Sequence, residues 1–356
     1  MKNGQIKLRR GPGMRVGAAR RHRQGEGDGN GVAYAALDLG TNNCRLLVAT
    51  PDGDGFRVLD AFSRIVRLGE GLNRDGCLSD AAIERTISAL RICASKMAKK
   101  RVIKARNVAT EACRRAVNCQ DFVDRVQGET GLEFEIISPE EEATLALKGC
   151  APLLVDDHPY GLVFDIGGGS TEIMWAERGS DVGPHGLRLI DSLSIPLGVV
   201  SRAEHHGGDR ISDEAYEAMI ERIDDHISGF EARNNIRTHI SEGAVQMLGT
   251  SGTVTTLAGI HLKLPSYDRN TVDGSFLNFD EIANVTRHLL SLDFAGRAKE
   301  PCIGKSRADL VVAGCAILDA ICRNWPVGRL RVADRGVREG ILFNLMGLGG
   351  TTAVVH

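Results

Sequence analysis

The chain has 356 residues, enough for two domains of ordinary size, and its hydrophobic fraction of 42% and charged fraction of 25% are those of a globular protein. The longest apolar run, residues 310–321, is interrupted by Asp319 and is too short to span a bilayer, which excludes a membrane-spanning protein. Nine cysteines without a CxxC pair or regular spacing exclude a disulfide framework and predict reduced thiols in a cytoplasmic protein.

Positive charge is concentrated at the start of the chain. Residues 1–30 hold eight Lys or Arg and two acids, a net charge of +6, which leaves −8 on the other 326 residues. Seven glycines and almost no large apolar side chain prevent this segment from folding alone, so it is predicted to be a disordered basic arm. Three interpretations stay open: an arm that contacts RNA or another polyanion, a solvated disordered extension, or a wrongly assigned start codon.

The first folded element is predicted to be a hairpin with an anion-binding bend. An apolar run at 32–37 leads to Asp38, to the small polar bend of Gly40, Thr41 and Asn42, and then to a second apolar run at 46–49. Backbone amides that cluster in such a bend form a positive concavity, and glycine removes the Cβ that would keep a phosphate away. The Asp at the strand end offers the hard oxygen ligands that phosphate-bound Mg²⁺ prefers.

Alternating helices and strands follow, as expected for an α/β lobe. The predicted order is a strand over 56–61, a helix over 79–97, a strand over 102–109, a helix over 120–128 and a strand over 134–137. Arg114 and Arg115 come directly after a strand. One of them is a candidate phosphate ligand through its planar fork of donors, and an ordinary surface arginine is the alternative.

The next helix is predicted to begin at Ser138. Pro139 occupies the first helical position, where it is tolerated, and Glu141 completes a capping box with Ser138. Glu141 shares its helix face with Thr144 and Lys148, so it is expected to be solvated.

Glu142 is expected to point the other way. It shares a face with Leu145, Ala146 and Gly149, an apolar stripe that should point inward. A carboxylate on a buried face is costly without a partner or a chemical role, and desolvation would raise its pKa towards that of a general base. A structural ion pair and a catalytic base both stay open.

A second hairpin repeats the first one 127 residues later. Residues 165–174 align without gaps on residues 38–47, and Asp165 and Glu172 flank a bend that contains Gly167, Gly168, Gly169, Ser170 and Thr171. Both carboxylates can reach the opening of this bend, as metal ligation and water positioning require. The alternative is a tight hairpin with surface acids. Arg45 occupies the place of Glu172 in the first copy, so the two lobes are not expected to have identical roles. The duplication predicts two similar lobes that face one phosphate-bearing ligand.

The rest of the second lobe is predicted to alternate in the same way. The predicted elements are helices over 212–234 and 279–292, a strand over 245–248, a helix over 307–323, a strand over 329–332 and a last helix from Gly336 to Met346. The loop after residue 248 contains Ser251, Gly252 and Thr253 and presents free amides at a helix N-terminus. The segment 304–306 is not a P-loop, because Lys299 stands where glycine is needed. His205 and His206 lack further ligands at metal spacing.

These motifs together resemble the exopolyphosphatase/guanosine-pentaphosphatase (Ppx/GppA) family, a branch of the actin, sugar-kinase and Hsp70 ATPase superfamily. The similarity covers roughly residues 33 to 348, and its matching stretches are 38–42, 109–118, 137–143, 164–173, 194–198, 249–253, 267–274, 307–309 and 334–340. The resemblance implies an α/β fold of two ribonuclease-H-like (actin-like ATPase) lobes with an interdomain cleft. The expected divisions are the arm at 1–30, lobes at 31–150 and 151–335, and a C-terminal helix and tail at 336–356 that packs on the first lobe.

The resemblance also implies roles for the candidate residues. Glu142 would be the base that activates the attacking water, and Glu172 would share in catalysis. The metal ligands for Mg²⁺, with Mn²⁺ as the alternative, would be Asp38, Asp165 and Glu172. Substrate phosphates would be bound by Gly40, Thr41, Asn42, Arg114, Gly167, Gly168, Gly169, Ser170, Thr171, Ser251, Gly252 and Thr253.

The implied function is a phosphohydrolase that acts on inorganic polyphosphate or on the 5′-phosphate of guanosine pentaphosphate. Thr41 and Asn43 replace two serines common in the family, and both keep a polar side chain. The chain ends soon after the last helix, so processive polyphosphate degradation is less expected, and guanosine pentaphosphate is favoured more strongly as the substrate.

Two alternatives are kept: an ATP-dependent kinase or ATPase of the same superfamily, and a non-catalytic guanosine tetraphosphate sensor whose arm binds RNA. The environment of Glu142 and the compact chain count against a kinase, which needs an acceptor pocket. A homodimer is left open, and no membrane partner is expected.

Overall fold

The computed structural model describes residues 31–155, 157–179, 186–200 and 211–348. The basic arm at residues 1–30, the pair His205 and His206, and the tail from residue 349 lie outside the described residues.

The first lobe is built on a five-stranded sheet. Its strands are β1 (Ala33–Leu39), β2 (Asn43–Asp52), β3 (Gly55–Ile65), β4 (Val102–Ala109) and β5 (Glu135–Ile136). They lie in the order β3-β2-β1-β4-β5, with antiparallel pairing among the first three strands and parallel pairing of β4 with β1 and of β5 with β4.

Five helices belong to this part of the chain. They are α1 (Leu72–Asp75), α2 (Asp80–Lys99), α3 (Glu111–Arg115), α4 (Cys119–Thr130) and α5 (Pro139–Cys150), and a 3₁₀ turn (Ala151–Leu153) follows. Helix α2 begins as predicted, because the Ser79 hydroxyl accepts a hydrogen bond from the Ala82 N–H at 3.3 Å.

The second lobe repeats this plan. Its strands are β6 (Tyr160–Ile166), β7 (Thr171–Arg178), β8 (Leu187–Ile195), β9 (Val245–Thr250), β10 (Phe276–Asn278) and β11 (Arg329–Ala333). In the order β10-β11-β9-β6-β7-β8, strands β6, β7, β8, β9 and β11 take the places of β1 to β5, and β10 adds an antiparallel edge. The predicted pair of ribonuclease-H-like lobes is therefore confirmed.

Eight further helices are described. They are α6 (Asp213–Asn234), α7 (Ile236–Ser241), α8 (Ser251–His261), α9 (Arg269–Val272), α10 (Phe279–Ser291), α11 (Phe294–Lys299), α12 (Val311–Asn324) and α13 (Val337–Met346). In the described ranges, none of the helices combines the length and the apolar content needed to cross a membrane.

Helices α5 and α13 cross between the two sheets. A Cβ added to Gly149 would lie 2.0 Å from the Gly336 carbonyl oxygen, and one added to Gly340 would lie 2.0 Å from the Leu145 carbonyl oxygen. The two backbones therefore touch where only glycine fits. Helix α13 follows the second sheet in the chain yet packs against β1. The core around the crossing draws apolar side chains from both sheets, among them Ala36, Leu47, Val163, Met174 and Ala333.

Two local predictions were wrong. The Ser138 hydroxyl accepts from the Glu141 N–H at 3.2 Å, but the Glu141 carboxylate pairs with Arg106 and does not complete a capping box. The helix predicted from residue 307 begins at Val311. The Arg297 guanidinium donates to the Ala308 carbonyl at 2.9 Å, and residues 305–310 form turns that precede the helix.

Candidate active site in the cleft between the lobes

The bends of the two repeated hairpins lie face to face. In the first bend the Gly40 N–H donates to the Asn43 carbonyl at 2.9 Å, and in the second the Gly167 N–H donates to the Ser170 carbonyl at 2.9 Å. A Cβ on Gly168 would lie 3.0 Å from the Asn42 nitrogen. One on Gly169 would lie 2.5 Å from the Thr41 hydroxyl. The repeated pattern predicted this opposition, and glycine is what allows it.

A third segment, after β8, closes the side of the second bend. The N–H groups of Val199 and Val200 donate to the carbonyls of Gly167 and Gly168 at 3.1 and 2.8 Å. A Cβ on Gly198 would lie 2.4 Å from the Gly168 carbonyl carbon. Gly198 therefore fixes the second bend, a role that the sequence analysis did not assign.

The two hairpins bring three carboxylates and one guanidinium together. Asp38 is paired in register with Arg45, and Asp165 with Glu172. Burial raises the pKa of Asp38, and it raises that of Asp165 to about 6, while the Arg45 charge opposes both shifts. Burial and the charge of Asp165 raise the pKa of Glu172 to about 7. The Ser194 hydroxyl donates to the Glu172 carboxylate at 3.1 Å.

Glu142 points into the same cleft from the first turn of α5, as its helix face predicted. Its side chain is 14% exposed and forms an ion pair with Arg114 at 2.9 Å. Burial and the charge of Glu172 raise its pKa well above the ordinary value, and Arg114 partly offsets this rise. A buried carboxylate with a raised pKa is suited to proton transfer near neutral pH.

Arg114, a predicted phosphate ligand, makes hydrogen bonds within the protein with most of its donors. Its guanidinium also binds the Glu111 carboxylate at 3.1 Å and the Ile137 carbonyl at 2.9 Å. Burial opposes its charge, but Glu142 and Glu111 outweigh that effect and raise its pKa. Arg114 therefore contacts Glu142, the candidate base, directly.

The predicted loop after residue 248 does not form, because β9 continues to Thr250 and α8 begins at Ser251; this strand-to-helix junction closes the far side of the cleft. Ser251 has a left-handed backbone (φ 84°), and its hydroxyl donates to the Ile166 carbonyl at 2.6 Å. A cavity of ≈ 50 Å³ lies between this junction and the bends; its lining includes Asn42, Asn43, Gly167, Gly168, Ser251, Gly252, Thr253 and Arg307.

Arg45 and Arg307 are two cations of the site that form no direct ion pair with an acid of the described residues. Within the described ranges, neither makes an ion pair, and Arg45 makes no side-chain hydrogen bond. Burial and the nearby charge of Arg45 lower the pKa of Arg307. Two mutually repelling guanidinium groups beside an anion-binding bend are stabilised when a phosphate lies between them. The sequence analysis missed Arg307, although it belongs to a matched stretch, because no local pattern separates it from other arginines.

Other predicted phosphate ligands differ in how free they are. Thr41 Oγ1 and Asn42 Oδ1 are buried without a hydrogen-bond partner in the described part of the chain, as is Oδ1 of Asn43, which was not predicted as a ligand. The Thr41 hydroxyl can donate to a phosphate oxygen, whereas an amide Oδ1 only accepts. In contrast, the Thr171 hydroxyl donates to the Leu197 carbonyl at 2.8 Å. The first bend thus keeps uncommitted polar groups, whereas the hydroxyl of Thr171 has a structural bond.

The oxygen donors at the ends of β1 and β6 fit a divalent cation. In the described ranges, no group of three or more His, Cys, Asp or Glu side chains is close enough to hold an ion by itself. Mg²⁺ commonly takes one or two carboxylates and completes its shell with waters and substrate phosphates. Asp38 and Asp165 are buried and repel each other. A cation shared with a phosphate would relieve that repulsion, so the donor set suits Mg²⁺ or Mn²⁺.

Comparison with known proteins agrees with this geometry. The model of the Ppx/GppA phosphatase family matches residues 47–348. The solved structure of an exopolyphosphatase-like protein is 28% identical, with a TM-score of 0.80, and the match covers 88% of this chain and 97% of that chain. A family member from Aquifex aeolicus is 27% identical, with a TM-score of 0.71 and coverage of 88% and 97%. An exopolyphosphatase from Cytophaga hutchinsonii, 21% identical with a TM-score of 0.78 and coverage of 88% and 98%, shares the fold. The chain therefore belongs to the Ppx/GppA phosphatase family and is a phosphohydrolase.

Proposed function

We propose that the protein releases the terminal phosphate of inorganic polyphosphate, with the 5′-phosphate of guanosine pentaphosphate as the second candidate substrate. One observation carries the proposal: two anion-binding bends touch each other, and Glu142 and Glu172 lie in the same cleft. The name of the exopolyphosphatase-like protein that is 28% identical supports polyphosphate as the first choice.

Each part of the site has a role in this reaction. The amides of both bends, with Thr41 and the cations Arg45 and Arg307, bind the oxygens of the terminal phosphoryl group and of the next phosphate. Arg114 holds Glu142 in place from the first lobe. Asp38 and Asp165 would hold Mg²⁺ or Mn²⁺ together with waters and substrate oxygens, and the ion would supply positive charge to the phosphate oxygens.

The chemical step is an in-line displacement by water. Glu142 accepts a proton from the water as its oxygen bonds to the terminal phosphorus, and the bridging P–O bond breaks to release a chain one phosphate shorter. Glu172, only 2% exposed, hydrogen-bonds to Ser194 and orients the water from the other side of the cleft. Because donors are aimed at the phosphoryl oxygens before reaction, little reorganisation is needed in the transition state.

The test compares initial phosphate release from long polyphosphate, tripolyphosphate and guanosine pentaphosphate at equal concentrations of chain ends. Release from either polyphosphate without an acceptor and without ADP is the expected result, and it separates this function from a kinase or an ATPase. Release from guanosine pentaphosphate alone would replace the first substrate by the second. Binding of guanosine tetraphosphate with no turnover of any substrate would favour the sensor.

A further inference from the structure

One arginine of the first lobe crosses to the second lobe beside the candidate site. Arg67 follows β3, and its Nη2 donates to the Ser306 carbonyl at 3.1 Å and to Asp309 Oδ1 at 3.1 Å. The second carboxylate oxygen of Asp309 lies 3.0 Å from the same nitrogen. Both side chains are about one-third exposed, at 30% and 33%. Ser306 and Asp309 belong to the turns before α12, so this contact joins the lobes.

On the first-lobe side, Arg67 is attached to the phosphate-binding bend. The N–H groups of Val66 and Arg67 both donate to the Asn42 carbonyl, at 2.9 and 3.0 Å, and the Gly69 N–H donates to the Thr41 carbonyl at 3.0 Å. Arg67 has a left-handed backbone (φ 48°), a conformation that is strained for a non-glycine residue. Such strain persists only where the surroundings fix the residue, and the shared Asn42 carbonyl does so here.

On the second-lobe side, Arg67 binds the segment 306–309, which contains Arg307. Arg297 is 3% exposed and donates to the Ala308 carbonyl at 2.9 Å, which anchors the segment in the lobe. Arg307 lies between the two residues that Arg67 contacts, and its side chain lines the cavity beside Asn42. A single guanidinium therefore connects the bend of one lobe with the arginine segment of the other.

We propose that Arg67 is a positioning residue, and that its contact with Asp309 and Ser306 holds the cleft closed with the first bend and Arg307 on the same phosphate chain. The inference rests on the proposed function, because closure matters for a substrate bound between the lobes. The cavity is lined by residues of both lobes, among them Asn42 and Arg307, so a phosphate chain bound there contacts both only while the lobes are held together. The contact raises the closed fraction, and the apparent affinity rises with that fraction.

The rival role for Arg67 is direct binding of the substrate. The two roles differ in the effect of removing the Asp309 charge. If Arg67 binds phosphate, Asp309 competes with the substrate, and Asp309→Asn should leave KM unchanged or lower it. If Arg67 holds the lobes together, Asp309→Asn removes the charge of the ion pair and leaves the hydrogen bond to Ser306, so the contact weakens and KM rises.

The experiment measures KM and kcat for tripolyphosphate in wild type, Arg67→Gln, Asp309→Asn and the double variant. Each single variant is expected to raise KM about three- to tenfold with kcat within about twofold. The double variant should have a KM no higher than that of the more impaired single variant, because both substitutions act on the same contact. A merely structural weakening would lower kcat and the melting temperature and leave KM in place. The matched control is Glu70→Gln. Glu70 pairs with Arg85 inside the first lobe, so KM should stay within about 1.5-fold.

A second measurement does not depend on turnover. Small-angle X-ray scattering of the full chain should give a larger radius of gyration for Asp309→Asn than for wild type or Glu70→Gln. An unchanged or lower KM in Asp309→Asn overturns the positioning role. If wild type releases no phosphate from any of the three substrates, the proposed function fails, and unchanged scattering in Asp309→Asn then overturns the closure contact separately.

Discussion

The two hairpins share a backbone plan and carry opposite charges at one equivalent position. Arg45 in the first and Glu172 in the second each lie opposite an Asp on the neighbouring strand. Under the proposed function, the first hairpin would place a cation near the phosphates at this position, and the second an acid that orients water. The shared backbone plan would then bind the anion in both lobes, and the one differing side chain would divide the chemistry between them.

The hairpins also differ in how closely they are packed. A Cβ on Gly40 would meet its nearest neighbour at 3.7 Å, an ordinary contact, whereas one on Gly168 would lie 2.9 Å from the Asn42 Cβ. The second bend has no spare room, and the first has some. A methyl group is therefore expected to be tolerated better at Gly40 than at Gly168.

The largest effect is expected at the base that lies between the hairpins. Glu142→Gln keeps the size of the side chain and a hydrogen bond to Arg114 but cannot accept the proton, so kcat should fall by about 10²–10⁴ with little change in the melting temperature. Steady-state phosphate release and thermal unfolding check both statements. The control is Glu141→Gln, whose carboxylate pairs with Arg106 and does not enter the cleft. A near-normal rate in Glu142→Gln would exclude it as the base.

The hairpins and Glu142 could be predicted because their patterns are local. Strand, Asp, glycine bend and strand lie within ten residues, and the inward face of Glu142 follows from helical spacing. Arg307 and Arg67 could not be assigned, because their roles depend on contacts between distant segments of chain. The engagement of Arg114 by Glu142 likewise depends on how α3 and α5 meet. The start of α12 was not predicted, because the turns before it include a contact with a residue outside the segment: the Arg297 guanidinium donates to the Ala308 carbonyl.

Substitutions at the equivalent positions Glu172 and Arg45 are expected to change different kinetic parameters. Glu172→Gln should lower kcat by about 10²-fold, because the second hairpin loses a group that orients the water. Arg45→Gln should raise KM about tenfold with a smaller change in kcat, because it removes a cation near bound phosphate. Measuring both parameters for tripolyphosphate separates the effects. If both variants changed the same parameter by similar factors, the division of labour between the lobes would be wrong.

Added methyl groups should test the difference in packing. Gly168→Ala forces the bends apart, and overpacking of this kind costs about 1–3 kcal/mol, so kcat/KM should fall at least tenfold. Gly40→Ala meets only an ordinary contact and should stay within about threefold of wild type. Equal losses in the two variants would show that the bends are equally constrained. Circular dichroism of both variants guards against a general loss of fold.

The smallest expected effect concerns how the two lobes set the pKa of Glu142 from opposite sides. Burial and Glu172 raise this pKa, and Arg114 lowers it. The base must be deprotonated, so kcat/KM should fall as pH drops through this pKa. Arg114→Gln removes the lowering influence, and the acid limb should move to higher pH. Arg115→Gln is the control, because Arg115 lies 3.9 Å from Glu111 and makes no ion pair with Glu142 within the described residues. The pH dependence of kcat/KM, measured at saturating Mg²⁺, reports the free enzyme. An acid limb that moved to lower pH in Arg114→Gln would mean that another group limits the rate.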